Sequence, residues 1–573
     1  MAGTTYYVSG TGNDNSNGLT TTTPFRTIGK AVYLPQLKAG DTILVMNGTY
    51  GSVGMIFNKN GSPNNWTTIK AYPGATPKIV TTVSAINIFS SSYVRIEGLT
   101  FEGNRQNITL DYALQQKNNL SNPLTNANGI YVASWKNSQG VGGTNPHHIV
   151  ITGNTVSNFS GGGIAISDAD YITVEKNIVS GNAWYSPYGN QGITALRSFN
   201  LDNNTTDYRM IFRGNVVYNN QSLVPWYVPD KITEGHGIML DTTIQAKGGV
   251  PYTGKTLITN NITYNNGSSG INVFKANHVD VVNNTAYQNS RVLTNNGEIG
   301  VSYSDSVRVY NNILYAGNNQ NANSIKYATN VTFDRNLVYN SKIFQASDNL
   351  KATGLLNILG KDPQFVNAVQ SNFALKPGSP AINAGSNAFN TITGNGTGVA
   401  AVDLGAYLHL STYQVPTPII QALNGTVEIA DGSTTGINFS DTILGNTLIS
   451  KAFAINNTTT PALNLNNLQL IEEFSLVGTL PTSPALLGSS AIFVLIILAR
   501  NIFRAFLKDY FLMQRKKPES RFYQALRSVM RNPKSIATNT STITTSDTYS
   551  GSLSLNNNDI TDNSTVSRND EIA

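Results

Sequence analysis

The 573 residues include no cysteine. Disulfides, thiolate zinc sites and cysteine nucleophiles are excluded together, so backbone ladders and a packed core must hold the fold. Charge is scarce too. Asp, Glu, Lys and Arg make up 12% of the chain against 40% hydrophobic residues, which excludes a disordered polyampholyte and leaves ample material for a core. The formal charge of +6 is local: Arg500 to Lys534 holds ten Lys and Arg against Asp509 and Glu519, while five acids face one Arg from Ser535 onward. Residues 1–499 carry only +2, and no nucleic-acid partner is expected of them. The opening MAGTTYYVSG lacks the charged and apolar regions of a signal peptide. Either export is not intended, or the natural leader is missing from this sequence.

An uninterrupted apolar run of membrane-spanning length, about 20 residues, is also lacking. Ala485 to Ala499 comes nearest, but it is 15 residues long and contains Gly488-Ser489-Ser490. Two readings stay open for it. Arg500, Arg504 and Lys508 would serve as a stop-transfer flank for a single-pass anchor, whereas a β-strand accounts for Phe493-Val494-Leu495-Ile496 without lipid.

What is plentiful is Gly, Asn, Ser, Thr and Tyr, a β-rich and turn-rich composition. Gly-Ile-x-h units recur at Gly129-Ile130-Tyr131-Val132, Gly163-Ile164-Ala165-Ile166, Gly192-Ile193-Thr194-Ala195, Gly237-Ile238-Met239-Leu240 and Gly270-Ile271-Asn272-Val273. A degenerate sixth is Glu298-Ile299-Gly300-Val301. Between them run segments such as IVITGNTVSN, ITVEKNIVSGN and LITNNITYNN, with Asn at fixed places. Alternation points one set of apolar residues inward on short strands, and Asn and Gly suit left-handed corners. A single strand cannot bury its own apolar edge, but coils stacked about 4.8 Å apart can, with Asn side chains in internal hydrogen-bonded ladders. The expected fold is all-β, a right-handed parallel β-helix.

The stretch TYYVSGTGNDNSNG…LKAGDTILVMNGTY (5–50) resembles the amino-terminal cap and first coil of pectate-lyase-like β-helix proteins. DPQFVNAVQSNFALKPGSPAINAGSN (362–387) with DLGAY (403–407) resembles the closing segment of bacterial surface members of that superfamily. The resemblance implies a β-helix domain over 1–407. Val415-Pro-Thr-Pro418 reads as part of a linker over 408–425. Residues 426–499 resemble the immunoglobulin-like repeats found beside anchoring signals in bacterial secreted proteins, which implies a small β-sandwich. The tail from 500 is basic with interleaved aromatics, suited to a membrane surface or partner, then Ser/Thr/Asn-rich and disordered by composition. The implied location is extracellular or cell-surface, as a monomer with membrane contact through 485–534.

Long insertions flank the Gly-Ile column at Trp135–Pro146, Trp184–Gln191 and Gln221–Thr233, and such insertions wall a groove on the outer face. With the isoleucines inward, Tyr131, Thr194, Met239 and Asn272 turn outward, and Asp168, Arg197 and Lys275 follow the strand ends. Glu234 and His236 precede the Gly237 strand and Asp241 ends it. These charged groups would gather over roughly 15–20 Å, the reach of a few sugar units.

Two chemistries fit an acidic polysaccharide there. Eliminative cleavage needs a cation on the uronate carboxylate and a base: calcium on Asp168, Asp170 and Asp241, with Lys275 or Arg197 as base. Hydrolysis needs two carboxyls, which Glu234 and Asp241 could supply, with His236 as an acid/base partner. Trp184, Tyr185, Trp226, Tyr227 and Tyr131 are candidates for stacking on sugars. Each has an ordinary alternative, a turn, a solvated corner or packing. Polysaccharide lyase is the leading expectation, with a glycoside hydrolase or a non-catalytic carbohydrate-binding surface protein as alternatives. This region also resembles the calcium-dependent pectate lyases of polysaccharide lyase family nine, whose catalytic Lys sits in an Asn-Gly-Phe-Lys-Leu-Gly rung. Here His236-Gly-Ile-Met-Leu-Asp241 puts Met239 at that place, and the paired acids are missing around Gly192-Ile193-Thr194, so that family's catalytic set does not carry over.

Overall fold

The computed structural model describes residues 3–135, 142–245, 250–340, 356–389 and 402–406, together with the backbone of five strands between 420 and 552. The first unit is built from three parallel sheets of eleven, eleven and nine strands. Each coil contributes one strand to each sheet in turn, as in Asp170–Glu175, Ile178–Ser180 and Ile193–Leu196. Because a parallel crossover winds right-handed, the coils form a right-handed parallel β-helix. Ile28–Val32, capped by the Thr27 hydroxyl, packs Ile28, Ala31 and Val32 into the first coils.

The Gly-Ile strands align residue for residue, Ile86, Ile130, Ile164, Ile193, Ile238, Ile271 and Ile299 forming one buried column. The preceding glycine is dictated by close approach. A Cβ on Gly192 would lie 2.7 Å from the carbonyl of Gly237 and 2.8 Å from Nδ2 of Asn220.

The Asn-bearing segments resolve into two roles. In LITNNITYNN, Asn260 and Asn265 take left-handed backbone at the corners, while Asn261 and Asn266 turn inward. One ladder runs from Asn154 through Asn177, Asn215, Asn261, Asn284, Asn312 and Asn336 to Asn357, each Nδ2 donating to the next Oδ1. The other runs Asn182, Asn220, Asn266, Asn289 and ends on Glu298, which accepts from the backbone N–H and Nδ2 of Asn289 at 3.1 and 2.6 Å.

Burial pushes the Glu298 carboxyl up to about 8. A carboxyl raised in the folded state contributes stability fully present below its unfolded value and lost as pH rises through the folded one. Glu298→Gln, which keeps an acceptor for Asn289, should therefore flatten the decline in stability between about pH 4.5 and 8. Denaturant midpoints across that range test this, and a variant as pH-sensitive as the parent would contradict it.

At the carboxyl-terminal part of this unit, Phe365 and Phe373 pack on Tyr287, and Phe365 also on Tyr315, while the N–H of Gly405 donates to the carbonyl of Asn311. In the second unit, Ile420–Asn424, Ile449–Asn457, Phe474–Val477, Ser490–Ile497 and Ser550–Ser552 make a five-stranded sheet. Ser490–Ile497, within the apolar run, is antiparallel to Ile449–Asn457 and Phe474–Val477. Ile420–Asn424, expected within the linker, is one of these strands, while most of the immunoglobulin-like region, the rest of the linker and most of the tail fall outside the described residues. Among those described, no helix is long and apolar enough to cross a membrane.

Candidate functional site

The corner between the third and first sheets differs from the other two. Elsewhere the left-handed positions are mostly Gly or Asn, for example Gly153, Gly214, Asn260 and Asn283, or Asn158, Gly181, Asn219 and Asn265. Here they are Asp168, Arg197, Thr242, Lys275, Tyr303 and Tyr327, with φ between 48° and 55°. Left-handed backbone is unfavourable for such side chains by about 1–2 kcal/mol each, and strain of this kind collects at functional sites. Their N–H groups continue the ladder, Asp168 to Leu196 O, Arg197 to Asp241 O, Thr242 to Phe274 O and Lys275 to Ser302 O, so these side chains stand on successive rungs.

Along this ridge Arg197 Nε lies 3.4 Å from Asp168 Oδ1, and Nη2 lies 3.3 Å from Ser167 Oγ. Asp241 is in register with Leu196 and Phe274, and its Oδ1 accepts from the Thr242 hydroxyl at 2.5 Å. Burial raises the Asp241 carboxyl; Thr242, Lys275 and Arg197 pull it back. The Lys275 ammonium lies 5.2 Å from the centre of the Phe274 ring. Tyr131 reaches the same ridge. Its phenol is raised by burial and by the charge of Asp168, and Arg197 and Tyr188 also act on it.

Glu234 stands where the Trp184–Gln191 and Gln221–Thr233 insertions meet. A Cβ on Gly189 would lie 2.8 Å from Glu234 Cγ and 3.3 Å from Trp226 Cγ, so the carboxyl, the indole and that turn are closely packed. Gln191 Nε2 donates to Glu234 Oε2 at 2.5 Å, and the Thr233 hydroxyl to Oε1 at 3.3 Å. Burial first, then the negative charge of Asp241, lifts the Glu234 carboxyl to about 8. A group in that state is a neutral acid at pH 7.

Several sequence expectations are corrected by placement. His236 is not an outward acid/base group: it is 3% exposed, burial lowers it to about 3, and Nε2 contacts Asn272 Nδ2 at 3.2 Å and Glu234 Oε2 at 3.8 Å. Asp170 leaves the ridge, because it opens the next strand in the first sheet. There it pairs with buried Arg209 and accepts from the Tyr252 hydroxyl at 2.7 Å. Tyr185 is buried with Ile108, Ala113 and Val224, and Trp184 packs against that cluster, donates to Asn219 O and lies under the Arg105 guanidinium at 4.3 Å. Tyr185 is not available for stacking on sugar, and Trp184, partly buried, already carries the Arg105 guanidinium on its ring. Tyr227, 46% exposed, stands edge-on to Tyr188 at 5.5 Å.

Calcium requires six to eight oxygen ligands. Asp168 faces Arg197, Asp241 lies among Thr242, Lys275 and Arg197, and Asp170 is taken by Arg209, so the three acids do not fit that donor set. Among the described residues no group of three or more His, Asp or Glu could hold a metal ion.

Gln191 and Tyr188 were missed from sequence. The signal for Gln191 was positional: it precedes its Gly-Ile pair just as His236 precedes the next, in a column of polar residues.

No family model and no curated protein matches the sequence. Solved structures do resemble it in fold. Pectate lyase Pel9A shares 16% identity over 71% of this chain and 96% of its own, with a TM-score of 0.39. XylC in complex with xylose shares 13% over 60% and 76%, with a TM-score of 0.39. The lacto-N-biosidase of family GH136 from Eubacterium ramulus shares 15% over 58% and 56%, with a TM-score of 0.32.

Proposed function

We propose that this chain is a carbohydrate-active enzyme that cleaves an acidic polysaccharide laid along the outer face of the third sheet. The observation that carries this reading is the pair formed by Glu234, neutral up to about pH 8, and Asp241, whose charge opposes its ionisation. Cleaving a glycosidic bond needs a proton for the departing oxygen and a second carboxylate for the attack, and a neutral acid with a second carboxyl near it is suited to supply both. Glu234 is the proton donor; Asp241, held among Thr242, Lys275 and Arg197, is the base for water. Hydrolysis is therefore the reaction this pair of carboxyls supports best. The cations of Arg197 and Lys275 suit a substrate bearing carboxylates, and Tyr131 and Tyr227 supply apolar faces for sugar rings.

Elimination is the second reading, favoured by those same cations. Arg197 would neutralise a uronate carboxylate without calcium, and Lys275 would take the C5 proton. The products of a screen of uronate polysaccharides separate the two, and repeating it with chelator tests that neither uses calcium. Hydrolysis gives new reducing ends without ultraviolet absorbance and is unaffected by chelator. Absorbing unsaturated uronates would replace hydrolysis by elimination, and binding without cleavage would reduce the groove to a carbohydrate-binding surface.

A further inference from the structure

Gln191 is 2% exposed, and every hydrogen-bonding position of its amide is used. Its Oε1 accepts from the backbone N–H of Gly235 at 2.9 Å and of His236 at 2.6 Å. Its Nε2 donates to Gly189 O at 3.1 Å and to Glu234 Oε2 at 2.5 Å. Two N–H groups can be accepted only by an oxygen, so the amide orientation is fixed by its neighbours. Nε2 is held against Glu234 as a consequence.

We propose that Gln191 is the positioning residue of the acid: by donating to Oε2, it confines the proton of Glu234 to Oε1, whose other neighbour is the Thr233 hydroxyl at 3.3 Å. This rests on the assignment of Glu234 as proton donor. Oε2 faces the inner side of the site, where Gln191 and His236 are both buried. A proton placed there would meet the N–H of Gln191 and be turned away from any glycosidic oxygen. His236 cannot take over the role of donor to Oε2, since its Nε2 is 3.8 Å away and already contacts Asn272 Nδ2.

The titratable groups facing Glu234 are Asp241 from the strand that follows and His236 two residues on. The Trp184–Gln191 insertion presents the uncharged Gln191, and the Gln221–Thr233 insertion the uncharged Trp226 and Thr233. His236, lowered to about 3, stays neutral where Glu234 titrates, so the background charge there is that of Asp241.

The test follows Glu234 without substrate, by infrared difference spectra of its carboxyl against Glu234→Gln as pH is raised. In Gln191→Glu the new carboxylate still accepts the two backbone N–H groups but no longer donates to Oε2. A like charge beside Glu234 opposes its ionisation, so its midpoint should rise by about one pH unit or more. Cleavage should fall about tenfold or more with KM little changed, because the proton is now shared between two carboxyls and lies on the wrong oxygen. An unmoved midpoint overturns the inference. Should that variant fail to fold, the side-chain amide resonance of Gln191 in the parent serves instead. It should shift with the Glu234 titration and stay still in Glu234→Gln; a resonance blind to that titration also overturns the inference. A midpoint that moves in a protein cleaving no polysaccharide would leave the positioning intact and remove the proposed function. Cleavage lost in Glu234→Gln, with an unmoved midpoint in Gln191→Glu, would do the reverse.

Discussion

Glu234→Gln should slow cleavage of the polysaccharide by about 10²- to 10⁴-fold while leaving its binding largely unchanged. The substitution keeps the shape of the side chain and an oxygen that accepts from Gln191 Nε2, so the packing against Gly189 and Trp226 survives. What it removes is the transferable proton. The loss should appear in kcat, since proton donation acts only as the bond breaks. Reducing-end release at saturating substrate measures it. A variant retaining most of the parental rate would move the proton donor elsewhere on the ridge. Folding should not suffer, because the parent already holds Glu234 uncharged at neutral pH.

Asp170→Ala should cost about 3–5 kcal/mol of stability, with little direct effect on the groove. Arg209 is fully buried; its Nε lies 3.1 Å from Asp170 Oδ1 and its Nη2 contacts Oδ2, while Nη1 donates to Asn204 O at 2.9 Å. The carboxylate also accepts from the Tyr252 hydroxyl and from the N–H of Leu201 at 2.8 Å. Removing it leaves a guanidinium in the interior with only the half-exposed carboxylate of Asp202, 3.4 Å from Nη1, as counter-charge. Denaturant unfolding reads the loss, and Asp170→Ala with Arg209→Met should recover much of it, since the stranded charge dominates the cost. A single variant as stable as the parent would show that water or a neighbouring carboxylate replaces Asp170.

These two acids show how far the sequence could be read. The period of the Gly-Ile units placed Asp241, Arg197 and Lys275 correctly, because alternation on a strand and the stacking of coils are both set by local pattern. Asp170, two residues past Asp168, was misassigned because the chain turns a corner between them. Asp168 is itself the left-handed residue, and the next strand begins at Asp170 in another sheet. Nothing in the spacing SDAD distinguishes a ridge from a turn. Trp184 and Tyr185 were drawn to the groove by their place in an insertion, but the satellite cluster that absorbs them is completed by Ile108 and Ala113, far away in sequence. His236 was legible as an unusual residue and not as a buried one, since its cover, Ser268 and Asn272, comes from the following rung. Gln191 stands 43 residues from Glu234 in sequence; its place before a Gly-Ile pair was legible, but its contact with Glu234 is shown only by the hydrogen bond.

The central claim is that Glu234 enters the reaction as a neutral acid, and the pH dependence of kcat on a cleaved polysaccharide tests it most directly. Activity carried by the protonated form should hold through neutrality and fall as pH rises through about 8, with an acid limb where Asp241 takes up a proton. A rate still climbing through pH 8, with unsaturated uronate as the product, would contradict it and make the working group a base.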